Sequence, residues 1–219
     1  MRTVPVDSNL GRSKQVRGAL RVQRICRARI LPSMNSSMSD LKANRSSDAD
    51  ARGFAPIADS AARILILGSM PGVASLRAAA YYAHPRNAFW PIMGQLIGAG
   101  PELDYPQRVE KIKKHHIAVW DVLARCRRVG SLDSAIDPQS AEINNFAAFF
   151  AAHLQLERVL FNGAAAQQLF MRHVDCAKTC ASLRLQRLPS TSPAHAGLCF
   201  EDKLEQWRHA LLAPLPTRI

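Results

Sequence analysis

The run Arg63-Ile64-Leu65-Ile66-Leu67-Gly68 constrains this chain more than any other feature, because its four central side chains are all large and apolar and no polar residue alternates with them. A strand without alternation has both faces buried, which is the habit of a central strand in a parallel sheet, and the closing glycine marks the passage into a loop. Residues 117–120 (Ile-Ala-Val-Trp), 158–161 (Arg-Val-Leu-Phe) and 183–188 read as three further strands. Helical stretches fall between and around them at 88–97, at 106–115 with Val109 and Ile112 on one face, at 141–154, at 164–174 and at 200–212. The last places Phe200, Leu204, Trp207 and Leu211 on one stripe and turns Glu201, Asp202 and Lys203 outward. Strands alternating with helices predict an α/β fold, a three-layer α/β/α arrangement around a small, mainly parallel four-stranded sheet. Ligands of such sheets bind outside the carboxyl ends of the strands.

With 219 residues, 47% of them hydrophobic, the chain has material for one domain and its appendages. Residues 1–55, arginine-rich and then serine-rich, read as a disordered tail, and residues 56–214 as a single folded domain. The formal charge is +12, of which +7 lies in residues 1–33, so the body is only mildly basic. A basic chain suits a polyanionic partner, nucleic acid ahead of an anionic membrane. Deleting residues 1–33 is expected to weaken non-specific nucleic-acid binding and flatten its salt dependence, while leaving the activity of the folded domain at saturating concentration unchanged. No stretch approaches the roughly 18 apolar residues of a membrane span, and the start lacks the apolar core of a secretory signal. The expectation is a monomeric, cytoplasmic protein without membrane association. The tail reads equally as an organelle transit peptide or as residues ahead of a true start at Met34 or Met38. Five scattered cysteines, Cys26, Cys126, Cys176, Cys180 and Cys199, suit free thiols in a reducing compartment. Cys176 and Cys180 lack the second pair that a metal clip needs, so neither metal nor cofactor is expected.

Four unusual segments follow predicted strands. The first is Gly68-Ser69-Met70-Pro71-Gly72, continuing through Tyr81-Tyr82-Ala83-His84-Pro85-Arg86-Asn87-Ala88-Phe89-Trp90. The second runs from Asp121 through Arg127-Arg128 to Asp133, the third is Asn162-Gly163-Ala164, and the fourth is Leu188-Pro189-Ser190-Thr191-Ser192-Pro193-Ala194. The first fits neither the G-x-S-x-G nucleophile elbow nor a phosphate-binding P-loop. Read plainly, it is a tight turn, an aromatic cluster and an Asn cap on the helix from residue 88.

These segments, in this order, resemble the hypoxanthine-DNA (DNA-deoxyinosine) glycosylase branch of the uracil-DNA glycosylase superfamily. The string GSMPGVASLRAAAYYAHPRNAFW carries most of the similarity, DVLARCRRVGSLDSAI, VLFNGAAA and LPSTSPA follow, and together they span about residues 62–210. The resemblance implies a base-flipping enzyme that hydrolyses the glycosidic bond of a deaminated base in double- or single-stranded DNA, most suitably hypoxanthine, and leaves an abasic site. It implies catalytic roles for Asn87, placing water at C1′, and for His84, a donor to the base. Base-binding roles go to Ser69, Met70, Tyr82, Phe89, Asp121 and Asn162, with Tyr82 and Phe89 as stacking platforms. DNA contacts go to Arg86, Ser190, Thr191 and Ser192, with Arg127 and Arg128 nearby.

Two positions depart from related branches. Met70 stands where mismatch-specific relatives carry a water-holding Asn, and Leu188 where uracil enzymes carry a donor His. The alternatives are a uracil or mismatch glycosylase of the same fold and a lesion-binding module without chemistry. Glycosidic cleavage through an oxocarbenium-like state calls for leaving-group stabilisation and a placed water more than for a strong nucleophile. Hypoxanthine offers an N1–H donor and an O6 acceptor, and adenine reverses both. Asp121 is then either the acceptor for N1–H or a simple turn cap.

Overall fold

The computed structural model describes residues 50–214. In chain order these form strands and helices β1 (Asp50–Arg52), β2 (Ile64–Gly68), α1 (Val73–Ala78), α2 (Phe89–Ile97), α3 (Tyr105–Lys114), β3 (Ile117–Asp121) and β4 (Leu123–Arg127). There follow β5 (Glu142–Ile143), α4 (Phe146–Ala152), β6 (Arg158–Asn162), α5 (Ala164–His173), α6 (Cys176–Thr179), β7 (Arg184–Leu188) and α7 (Phe200–Leu212). Of the tail expected over residues 1–55, residues 1–49 lie outside the described residues.

The four strands expected from the apolar runs make one parallel sheet in the order β3-β2-β6-β7. Its centre is fully buried: Leu65, Ile66 and Leu67 of β2, Val119 of β3, and Val159, Leu160 and Phe161 of β6 have no exposed surface. Each such side chain contributes roughly 1.5–3 kcal/mol of burial free energy. Pairing puts Gly68 opposite Asp121 and Asn162 opposite Leu188. The carboxyl ends of all four strands therefore come to one edge, where parallel sheets build their sites. Helix α3 starts at a capping box, in which Asp104 Oδ1 accepts from Gln107 N and Gln107 Oε1 accepts from Asp104 N. Helix α2 contacts α7, and Trp207 of α7 is fully buried beside Phe89.

Four expectations are corrected. Strands β1, β4 and β5 form a separate antiparallel sheet in the order β1-β4-β5, where composition suggested tail, loop and helix. Asp50 grips Arg125 through two 2.8 Å bonds, so the fold begins by Asp50, ahead of the boundary at 55. Ala51, Met70, Leu123 and Cys126 make a small core under this sheet. The helix expected over 141–154 is shortened to Phe146–Ala152 because Glu142 and Ile143 pair with β4 and Asn145 caps the helix by accepting from Ala148 N at 3.0 Å. Lys203 does not turn outward: it is buried and its ammonium donates to the carbonyl of His195 at 2.7 Å, tying α7 to the loop after β7.

Candidate active site

A cavity of about 150 Å³ opens at the carboxyl edge of the parallel sheet, a volume comparable to cavities known to admit a benzene ring. Residues 68–75, the turn from Tyr81 to Asn87, Asp121, the Ser131–Asp133 turn, Asn162 and Ser190–Pro193 surround it. All four segments singled out after the strands thus meet in one place.

The floor is Asp121. The last residue of β3 is 3% exposed, and its Oδ2 has no hydrogen-bond partner. Burial, and secondarily repulsion from Asp133, pushes its carboxyl up to about 7, with the Arg128 guanidinium pulling the other way. It is no turn cap: only its backbone carbonyl is engaged, by the Asn144 side-chain amide at 2.9 Å. Gly68 lies opposite, and a Cβ there would stand 2.3 Å from Asp121 Oδ1 and 3.3 Å from the Tyr82 hydroxyl. Glycine ends β2 because the carboxyl needs that space.

The Tyr81-Tyr82 pair divides inward and outward through the left-handed backbone of Tyr82, at φ 55°. Tyr81 goes to the core, where its carbonyl accepts the Trp90 indole N–H at 2.8 Å. Tyr82 lines the cavity and stacks on Phe89 with ring centroids 3.9 Å apart. Its hydroxyl is buried beside the Asn162 side chain, and burial, with the Asp121 charge second, raises the phenol well above its usual range. Phe89 itself is not a stacking platform for a base. It is fully buried and edge-on to both Trp90 and Trp207, so it supports Tyr82 from below.

Asn87 and His84 sit on the same wall. Asn87 Oδ1 accepts the Phe89 N–H at 3.0 Å, capping the first turn of α2, which leaves its NH₂ to offer to a ligand. His84 Nδ1 accepts the Arg86 N–H at 3.1 Å, so the neutral ring carries its proton on Nε2. The turn is held from behind by Ser75 Oγ, which accepts from Ala83 N at 3.1 Å.

Thr191 is the hub of the opposite wall. Asn162 donates to its hydroxyl at 2.9 Å and accepts its N–H at 2.8 Å, and the Thr191 carbonyl accepts from Ala88 N at 2.9 Å. Thr191 is 1% exposed, so it fixes the turn before α2 and the loops after β6 and β7 to one another and is not a phosphate contact. Asn162 lines the cavity, but much of its amide is committed to this pairing. Ser190 and Ser192 border the cavity, Ser190 Oγ accepting from Ser192 N at 3.2 Å. Gly163, at φ 101°, lets the chain pass Ser190, whose Cβ an added Cβ would approach to 2.9 Å.

Ser69 lines the cavity and its hydroxyl donates to Asp133 Oδ1 at 2.6 Å. Met70 borders it too, but its side chain is buried in the small core with Leu123. Arg128 is no surface contact: it is 3% exposed, with its guanidinium bonded to the carbonyls of Pro71 and Gly130. Arg127 pairs with Asp137 at 2.7 Å, and Arg86 is exposed. Asp133 and Ser131, which the sequence reading passed over, are the additions. A hydroxyl and a carboxylate two residues apart at the end of the second segment were the available signal.

The family model described as Uracil DNA glycosylase superfamily matches residues 55–215. The chain belongs to that superfamily. Its members are DNA N-glycosylases, hydrolases that act on DNA. Among curated proteins, the chain is 41% identical over 113 residues to a hypoxanthine DNA glycosylase of Methanosarcina barkeri, covering 51% of this chain and 70% of that one. It is 37% identical over 116 residues to a hypoxanthine DNA glycosylase of Methanosarcina acetivorans, covering 52% and 72%. Among solved structures, a solution NMR structure from Methanosarcina acetivorans, described as a candidate uracil DNA glycosylase, superposes with a TM-score of 0.60 at 30% identity, over 73% of this chain and 98% of the other. This uracil-DNA glycosylase-like fold agrees with the α/β/α architecture expected from the strand pattern.

Proposed function

We propose that this glycosylase removes hypoxanthine from deoxyinosine in DNA by hydrolysis and leaves an abasic site. The observation that carries the substrate is the buried, unpartnered Oδ2 of Asp121 at the floor of a cavity whose adjoining wall presents donors. An ionised Asp121 accepts the N1–H of hypoxanthine. His84 Nε2–H and the Asn87 NH₂ supply hydrogen bonds to O6 and the ring nitrogens, where negative charge gathers as the base leaves. Tyr82, backed by Phe89, gives the flipped base its aromatic face. The relatives named hypoxanthine DNA glycosylases support the same choice. Adenine, with an acceptor at N1, would set lone pair against lone pair in a desolvated pocket.

Uracil carries an equivalent N3–H and is the principal rival, so the test is a panel. Duplexes bearing hypoxanthine, uracil, xanthine or a G·T mismatch, incubated with the protein and then cleaved with alkali, should be cut fastest at deoxyinosine. Uracil released as fast as hypoxanthine would overturn the substrate, and binding of a lesion with no strand cut after alkali would turn the reading toward a lesion-binding module.

A further inference from the structure

The proposed function, on which this inference rests, leaves the attacking water without an acceptor. Asn87, to which the resemblance gives the placing of the water, has spent one lone pair of Oδ1 on Phe89 and as an amide cannot take the water's proton, and the Asp121 carboxyl lies deep, where the base edge goes. A second carboxylate faces the same cavity. Asp133 stands in the turn after β4 and accepts the Ser69 hydroxyl through Oδ1.

This turn is sewn to the loop after β2 at three points. Besides Ser69 to Asp133, the Val73 N–H donates to Ser131 Oγ at 2.9 Å, and Arg128 donates to the carbonyl of Pro71. Arg128 also holds the carbonyl of Gly130 at 3.0 Å. The carboxylate is thus fixed by a built framework, and Gly72, where a Cβ would meet Ser131 Oγ at 3.3 Å, lets the two loops close up.

Depth separates the two acids. Asp121 is 3% exposed and lines the bottom of the cavity, whereas Asp133 lines it from an exposed turn. A base enters edge-first to the floor, and water arrives from solvent. We propose that Asp133 holds the attacking water and accepts its proton, with Ser69 fixing the carboxylate in place. In this step the water oxygen forms the bond to C1′ and the C1′–N9 bond breaks with its electron pair leaving on the base. One water proton passes to Asp133, and the departing base is reprotonated from solvent, to which Asp133 later returns its own proton. Enough protein surrounds Asp133 that burial holds its carboxyl above the ordinary range, as suits a proton acceptor.

Asp133→Asn keeps an acceptor for Ser69 and removes the charge. On whichever lesion the wild type releases fastest, single-turnover release should fall about 100-fold or more in this variant. Binding to a duplex carrying the uncleavable 2′-fluoro analogue of that lesion should stay within about 3-fold of wild type. Ser69→Ala should cost less, about 10-fold, and the double variant should be no slower than Asp133→Asn alone, because both act on one water. A rate for Asp133→Asn within about 3-fold of wild type, or equal losses of rate and binding, would overturn the assignment. Preferential uracil release by the wild type would overturn the substrate and leave this assignment measurable. Failure of the wild type to release any base would overturn both.

Discussion

Asn87→Ala should release hypoxanthine about 10²–10³-fold more slowly than wild type in single turnover, equivalent to roughly 3–4 kcal/mol of lost transition-state stabilisation. The amide NH₂ is the group this residue can turn to the cavity, since its oxygen is held by the Phe89 N–H. What disappears is a donor to the base at the moment charge develops on it, an interaction weaker in the ground state. Lesion binding should therefore stay close to wild type. The same substitution removes a bond from the first turn of α2, which costs about 1 kcal/mol of stability. A melting curve separates the two effects. A variant with wild-type turnover would take Asn87 out of the chemistry.

Asp121→Asn should stabilise the protein and damage its selectivity together. The carboxyl is held at about 7 in the folded chain, against an ordinary 3.8. Between those values the folded state carries the proton and the unfolded state does not, so stability is full below about pH 4 and declines as pH rises through about 7. The accumulated cost above pH 8 is on the order of 4 kcal/mol, which the amide avoids. Urea melts of the two proteins should diverge as pH rises from 5 to 8, the mutant ending higher. Selectivity moves the other way. An amide can turn a donor toward adenine N1, so discrimination against adenine, expected at about 10⁴ for a fully desolvated acceptor, should shrink more than hypoxanthine release does. Wild-type release of hypoxanthine should itself climb with pH through about 7, as Asp121 ionises beside Asp133, Arg128 and the two tyrosines. Parallel melting curves, or unchanged selectivity, would refute the corresponding half.

The parallel sheet was legible because its central strands carry unbroken apolar runs, and the positions after those strands marked out four segments, within which the resemblance assigned roles to Ser69, His84, Asn87, Asp121 and Asn162. The second sheet was not. Asp50-Ala51-Arg52 and Leu123-Ala124-Arg125-Cys126-Arg127 are short and half charged, and they hold together through an Asp–Arg grip between residues 75 positions apart. Direction was equally hidden. Nothing in Tyr82 and Phe89 as letters says that one ring lies on top of the other, nor that the Thr191 and Arg128 side chains turn into the protein. Those outcomes depend on Trp207, Asn162 and Pro71, which arrive from other elements. Asp133 stood at the end of the second segment without a role for the same reason, since its partner Ser69 is 64 residues away.

The position of Thr191 has an outcome for how faithfully the enzyme can be made. Its alignment with Asn162 and Ala88 is inherited from the register of β7, the outer strand of the sheet, where Arg184, Gln186 and Arg187 are exposed and Leu188 alone is fully buried. Exposed charges guard such a strand against pairing with strangers, but few apolar anchors say which residue belongs opposite which. A slip of one residue would leave the sheet, the helices and nearly all of the core intact while displacing Thr191 from both partners. A recombinant batch could then hold two soluble, cooperatively melting populations, one of them inert, and the fraction of active molecules would record how often the last strand was laid down correctly.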